Sequence, residues 1–239
     1  MKIEVTQGIV LRASDYLDRD KIVSILTPDY GLVSAKIKGG KGKSSNLKFA
    51  MMPFCYAQFE LAMSGLHPSV LTAVEIENFF DITKDYLKFV YGSAILELTN
   101  IIAPILEDSV LFTALVKALH TLRFSATNPG LVFFRFALGV FKVTGYQFNT
   151  DLCGQCNTLI KSALWSHKTG ALVCENCARF GDVSLSGELL DLLKTLPKID
   201  FDALDEIDFN HTLEQECNIL VQNNCNLHFT KLNSLKQLL

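Results

Sequence analysis

Over the first eighty residues apolar and polar positions alternate in short runs, the period that places successive side chains on opposite faces of a strand. Ile3 to Leu11, Lys21 to Thr27, Leu32 to Ile37, Cys55 to Met63 and Val70 to Phe79 are predicted as five strands. Pro28-Asp29-Tyr30-Gly31 makes the turn into the third. Phe59 and Leu61 alternate with Gln58 and Glu60, as in a strand with one buried face. Five short strands with a long insertion between the third and fourth fit a small barrel of the OB type, and fit a bare SH3-like barrel equally well. The pattern does not contain the order of the strands.

From about Thr83 the period becomes helical. Tyr86, Leu87, Val90, Ile95 and Leu98 predict a helix that Pro104 ends, and Ser109 to Phe124 repeats the pattern through Leu111, Leu115, Leu119 and Leu122. Asn128-Pro129-Gly130 opens a third helix, Leu131 to Thr144, which Gly145 stops. Val132, Phe133, Phe134, Phe136, Leu138, Val140 and Phe141 make it apolar on most sides, which places it at the centre of a core. A further helix is expected over Ser186 to Leu196, then a solvated acidic loop (Asp200, Asp202, Asp205, Glu206, Asp208), then a last helical segment reaching Leu239. Strands followed by helices give an α+β chain, divided into residues 1–80 and 81–239.

Cys153-Gly154-Gln155-Cys156 and Cys174-Glu175-Asn176-Cys177 interrupt the helical part, with 17 residues between the pairs. This C-x2-C…C-x2-C spacing is that of a zinc site. Two intervening residues let the chain curl into a knuckle whose two sulfurs converge on one metal, and a second knuckle completes a tetrahedron. Ala163 to Ser166 and Ala171 to Val173 read as strands joined by a turn at His167-Lys168-Thr169-Gly170, a hairpin that returns the second knuckle to the first. The small module spans about residues 150–180. Iron in the same thiolates is not separated from zinc by spacing. A redox pair would need a thioredoxin-like βαβ setting, and two disulfides an oxidising compartment. Four thiolates leave no open position for water, so a zinc ion here is structural. His167, on the turn, reads as solvated.

Of the 239 residues, 49% are hydrophobic and 20% charged, an ordinary globular composition with length for two small domains. No run approaches a membrane span, and the polar, mixed opening Met1 to Gln7 shows no secretory pattern. The expected setting is the reducing cytosol, with Cys55, Cys217 and Cys225 as free core thiols. The net charge of −3 conceals an asymmetry: residues 1–50 hold nine Lys and Arg against five Asp and Glu, and the remainder thirteen against twenty. A positive N-terminal region on an acidic body points to an anionic partner for that region.

The basic residues concentrate in Lys36, Lys38, Lys41, Lys43 and Lys48, interspersed with Gly39, Gly40 and Gly42. A phosphate-cradling P-loop needs glycine five residues before Gly42-Lys43-Ser44, where Ile37 stands, so nucleotide hydrolysis is excluded. A glycine-rich lysine loop on a small barrel suits the phosphate backbone of a nucleic acid, extended by Arg12, Arg19 and Lys21 if the first strands lie alongside. Tyr16, Tyr30 and Phe49 are available for base stacking, though each is more readily core or surface filler. The five histidines form neither H-E-x-x-H nor H-x-E, and G-x-S-x-G is absent, so no catalytic set is predicted.

The combination resembles the RecO family of bacterial recombination mediators. The resemblance lies in Gly8-Ile9-Val10-Leu11-Arg12, Thr27-Pro28-Asp29-Tyr30-Gly31 before a basic loop, and Phe134-Arg135-Phe136-Ala137-Leu138 running into Thr144-Gly145-Tyr146. Cys153-Gly154-Gln155-Cys156 then follows closely, and Leu232-Asn233-Ser234-Leu235 near the end is also similar. The resemblance implies an N-terminal OB fold, a helical body carrying a four-cysteine zinc ribbon, and a cytoplasmic, nucleoid-associated DNA repair protein without enzymatic activity. It implies binding of single- and double-stranded DNA, annealing of complementary strands and, with RecR, loading of RecA onto DNA coated by single-strand-binding protein. It implies one structural Zn²⁺, no membrane and no small-molecule substrate. On the Arg-Phe helix it makes Arg135 the residue that holds the acidic tail of single-strand-binding protein. The chain departs from the family in its acidic body, which confines the expected DNA contact to the barrel. A zinc-ribbon scaffold that binds protein alone is the alternative.

Overall fold

The computed structural model describes every residue except 1, 43–45, 66, 107–108 and 239. The chain forms two compact units, Met1–Phe124 and Ser125–Leu239.

The first unit is built on five strands, β1 (Lys2–Tyr16), β2 (Asp20–Thr27), β3 (Gly31–Ile37), β4 (Cys55–Met63) and β5 (Ser69–Asn78). They close in the order β1-β2-β3-β5-β4, with β3 parallel to β5 and the other pairs antiparallel. That closure is the five-stranded OB arrangement, and it decides between the two barrels the alternation allowed. Inward positions Val10, Val23, Ile25, Val33, Ala35, Ile37, Phe59 and Leu61 fill the interior. β1 runs past the expected Leu11: after an irregularity between Val10 and Arg12 it stays paired to β2 through Asp15↔Lys21 and Tyr16↔Asp20. The polar residues of this extension hide it from any reading based on apolar alternation.

The insertion between β3 and β4 ends in a short 3-10 turn, Phe49–Met51, that caps the barrel. Ala50 is buried in the barrel core and Leu47, Phe49 and Met51 pack against it. Two helices belong to the same unit, α1 (Tyr86–Ile102) and α2 (Ser109–Phe124). The Asp85 side chain caps α1 by accepting from the Lys88 N–H at 2.9 Å. Phe112 of α2 meets Tyr56 of β4 edge to face, and Arg123 reaches Glu77 of β5 at 3.0 Å.

In the second unit the apolar helix α3 (Pro129–Val143) is central, with Leu131 to Phe134, Phe136 to Leu138, Val140 and Phe141 all buried. Asn128 caps it, with Pro129 in the first turn. α4 (Gly187–Thr195) and α5 (His211–His228) pack on each other, and α5 packs on α3. The last helical segment ends at His228 and is followed by a single 3-10 turn, Ser234–Gln237. The acidic stretch forms a 3-10 turn, Phe201–Glu206, in which Phe201 and Leu204 are buried and Asp202, Asp205 and Glu206 are exposed. Between α3 and α4 lies a three-stranded ribbon, β6 (Leu164–Trp165), β7 (Leu172–Val173) and β8 (Val183–Ser184), in the order β7-β6-β8. The hairpin was expected, whereas β8, two residues long, carries no sequence signal. Among the described residues no helix is long and apolar enough to cross a membrane.

Candidate metal centre and nucleic-acid interface

The two knuckles meet as their spacing predicts. The sulfurs of Cys153, Cys156, Cys174 and Cys177 all lie within 4.8 Å of one another, and Cys156 Sγ is 3.7 Å from Cys174 Sγ. Four bonds of about 2.3 Å to one ion put tetrahedral ligands about 3.8 Å apart, so the separation fits a single metal. Gly154 permits the approach: a Cβ there would stand 2.6 Å from the Cβ of Ala171. Cys153 is buried, which opposes its thiolate. The N–H groups of Cys174, Cys156 and Gln155 outweigh that burial and bring its pKa down to about 6. Hydrogen bonding with the Cys156 sulfur pushes Cys177 up to about 12, a crowding of thiols that a dication would relieve. This donor set could hold one soft or borderline metal ion and would then keep no position open for substrate. Cys55, Cys217 and Cys225 are buried and outside the four-cysteine group, and burial raises Cys55 to about 12.

A loop and hairpin on the barrel organise most of the basic residues. Residues 38–42 form a turn laced to the β1–β2 hairpin. The Gly39 N–H donates to Asp20 at 2.9 Å, the Lys41 N–H to the Arg19 carbonyl at 3.1 Å, and Lys41 Nζ to the Leu17 carbonyl at 2.8 Å. This part of the loop is tied down by its neighbours. Asp15 takes two of the predicted cations, Lys21 at 2.9 Å and Lys41 at 3.4 Å. The Lys21 hydrogen bond, backed by the charges of Lys21 and Lys41, holds the Asp15 carboxyl below its ordinary range.

Arg12 is exposed on β1 and its Nε donates to Ser24 at 3.3 Å. Arg19 and Lys38 are exposed and Lys36 is half-buried on β3; none of the three meets a carboxylate among the described residues. Lys48 is exposed where the capping turn begins. Lys43 lies outside the described residues.

The aromatic candidates separate. Tyr16, at the end of β1, meets His67 edge to face at 6.1 Å. Tyr30 stands at the opposite end of the β2–β3 hairpin from Lys38, its hydroxyl donating to Glu4 at 2.8 Å, and Phe49 packs against the barrel core. Arg135 is half-buried in the second unit. Its Nε donates to the Ile199 carbonyl at 2.7 Å and its guanidinium lies 5.2 Å from the Phe201 ring centroid. Burial lowers its pKa, against the charge of Asp200.

Two family models match, one described as Recombination protein O N terminal over residues 1–80 and one as Recombination protein O C terminal over residues 83–236. The chain belongs to the RecO family. Among curated relatives, the DNA repair protein RecO of Clostridium novyi is 28% identical over 204 residues, 84% of this chain and 80% of the relative. Those of Caldicellulosiruptor bescii (24% identical; 87% of this chain, 85% of the relative) and Thermobifida fusca (29%; 86% of each) are similar at comparable length. The matches span both the barrel and the helical part. The resemblance carried by the Arg-Phe helix and the cysteine pairs is thereby borne out, and the chain is a member of a DNA repair family.

Proposed function

We propose that this RecO-family protein is a non-enzymatic mediator of recombinational repair that binds single- and double-stranded DNA and anneals complementary strands. In this reading it acts with RecR to load RecA onto DNA coated by single-strand-binding protein, in the cytoplasm at the nucleoid. The observation that supports the DNA contact is that Arg19, Lys36 and Lys38 lie where the β1–β2 turn meets the end of β3, with Arg12 exposed further along β1, cations that Asp15 leaves unneutralised. Annealing needs no catalytic group; it needs two strands with their phosphates partly neutralised and held close. The four-thiolate site holds one structural Zn²⁺ in this reading, and Arg135 is the least direct of the proposed contacts because its guanidinium is already engaged within the unit.

A salt titration of single-stranded DNA binding tests the interface. The slope of log K against log[salt] is expected to flatten by about 0.7 for each phosphate no longer neutralised, so Arg19→Ala with Lys38→Ala removes roughly twice that. Lys21→Ala and Lys41→Ala change the slope less, since Asp15 already pairs both. A slope indifferent to Arg19 and Lys38 sinks the barrel interface and favours a protein-binding scaffold. Annealing measured with and without single-strand-binding protein then tests the mediator role.

A further inference from the structure

The most exposed large apolar residue of the described chain is on the metal ribbon. Phe180 is 103% exposed, at the tip of the turn Arg179–Asp182 that follows the second knuckle. A phenylalanine ring held wholly in water forgoes the gain of burial, which raises the question of what holds it there.

The turn supplies the cause, because it is built to hold that ring outward. The Asp182 N–H closes it onto the Arg179 carbonyl at 3.1 Å, and Gly181 takes the third position with φ +92°, which a type II turn reserves for glycine. The Asp182 side chain is only 1% exposed. Its Oδ2 accepts from the Arg179 N–H at 2.8 Å, while its Oδ1 accepts from the His167 N–H at 3.3 Å and lies 2.8 Å from His167 Nδ1. One buried carboxylate thus locks the Phe180 turn to the β6–β7 turn. On these two turns Arg179 and Lys168 are exposed, and Asp182 is consumed inside.

A solvent-facing aromatic ring next to an arginine, on a turn joined to one that carries a lysine, matches the chemistry of an unpaired nucleobase and its flanking phosphates. Every base has a π-face to stack, and the cations take the backbone on either side. We propose that Phe180 and Arg179 form a second nucleic-acid contact on the ribbon, in which Phe180 stacks on an unpaired base and Arg179 holds an adjacent phosphate. The contact rests on the DNA-binding reading of the family member, but it is carried by a different unit and by stacking in place of charge. It selects single strands, because inside a duplex both faces of each base are already covered by its neighbours.

Phe180→Ala is expected to weaken binding of a single-stranded oligonucleotide about tenfold or more, with duplex binding and the salt slope unchanged. Arg179→Gln flattens the single-strand slope by about 0.7. Phe180→Trp restores affinity and adds an indole whose fluorescence is quenched by the oligonucleotide, measured above the Trp165 background; Phe180→Leu keeps apolar bulk but does not restore it. Since Phe180 touches nothing that holds the unit together, the thermal midpoint of each variant should match the parent. If Phe180→Ala binds single strands as the parent does while Arg19→Ala and Lys38→Ala still weaken binding, the ribbon contact is wrong and the barrel interface stands. A parent that binds no DNA overturns both, and full rescue by Phe180→Leu overturns stacking in favour of an apolar protein contact.

Discussion

Arg135 sits among the apolar residues in the middle of α3, and its side chain is what lets a charge survive there. The Nε–H satisfies the Ile199 carbonyl and the guanidinium face covers Phe201, so the residue ties α3 to the segment leading out of α4. Arg135→Ala leaves that carbonyl without its partner, and is expected to cost about 2 kcal/mol of stability, seen as a lower denaturant midpoint with unchanged slope. Lys at this position recovers only part, because an ammonium has neither the flat face nor the fixed Nε direction. A variant as stable as the parent would leave the guanidinium free for an acidic partner and restore that role as its main one. In Asp15 the lesson is reversed. Its charge was counted in the balance of the first fifty residues, but which lysines it neutralises follows from the cross-strand pairing of Asp15 with Lys21, and that register is not written in the sequence.

At the scale of elements, helices and long strands were legible because each carries one strong period over many residues. Ser109–Phe124 and Cys55–Met63 have the bounds the pattern predicts. What escaped lies where geometry replaces periodicity. The polar extension of β1, the two-residue β8 and the Asp182 lock depend on partners distant in sequence, which a local pattern cannot name.

The ribbon's seating on α5 is another such case. His228 stacks on Tyr146 with ring centroids 4.0 Å apart, and its Nε2 would stand 2.4 Å from a Cβ on Gly170. Burial lowers the His228 pKa below its ordinary value near 6.5. The unfolded chain therefore binds the extra proton first, so stability is intact above about pH 6.5 and falls as the pH drops through that value toward the folded pKa. Thermal midpoints at pH 7.5 and 5.5 should separate in the parent more than in His228→Gln, which cannot titrate. Equal separations in the two proteins remove His228 as the cause.

For the molecule as a whole, the proposed division of labour puts one nucleic-acid contact on the barrel and the other on the ribbon that carries the four cysteines. Ribbon strands of two residues bury little by themselves, and in the proposed reading an ion held by the four cysteines closes the knuckles. Removing the metal with a chelator, or replacing Cys153 with serine, should release one zinc ion per chain and unlock the turn that presents Phe180. The two perturbations then act on one element and cannot add. Phe180→Ala, expected to cost about tenfold in single-strand affinity with the metal bound, should cost little more once it is gone. The salt slope set by Arg19 and Lys38 should persist through both, because the barrel core of Val10, Ile25, Phe59 and Leu61 shares no ligand with the ribbon. Equal Phe180→Ala penalties before and after chelation would separate the turn from the metal, and loss of the slope on chelation would show that the barrel interface depends on the ribbon after all.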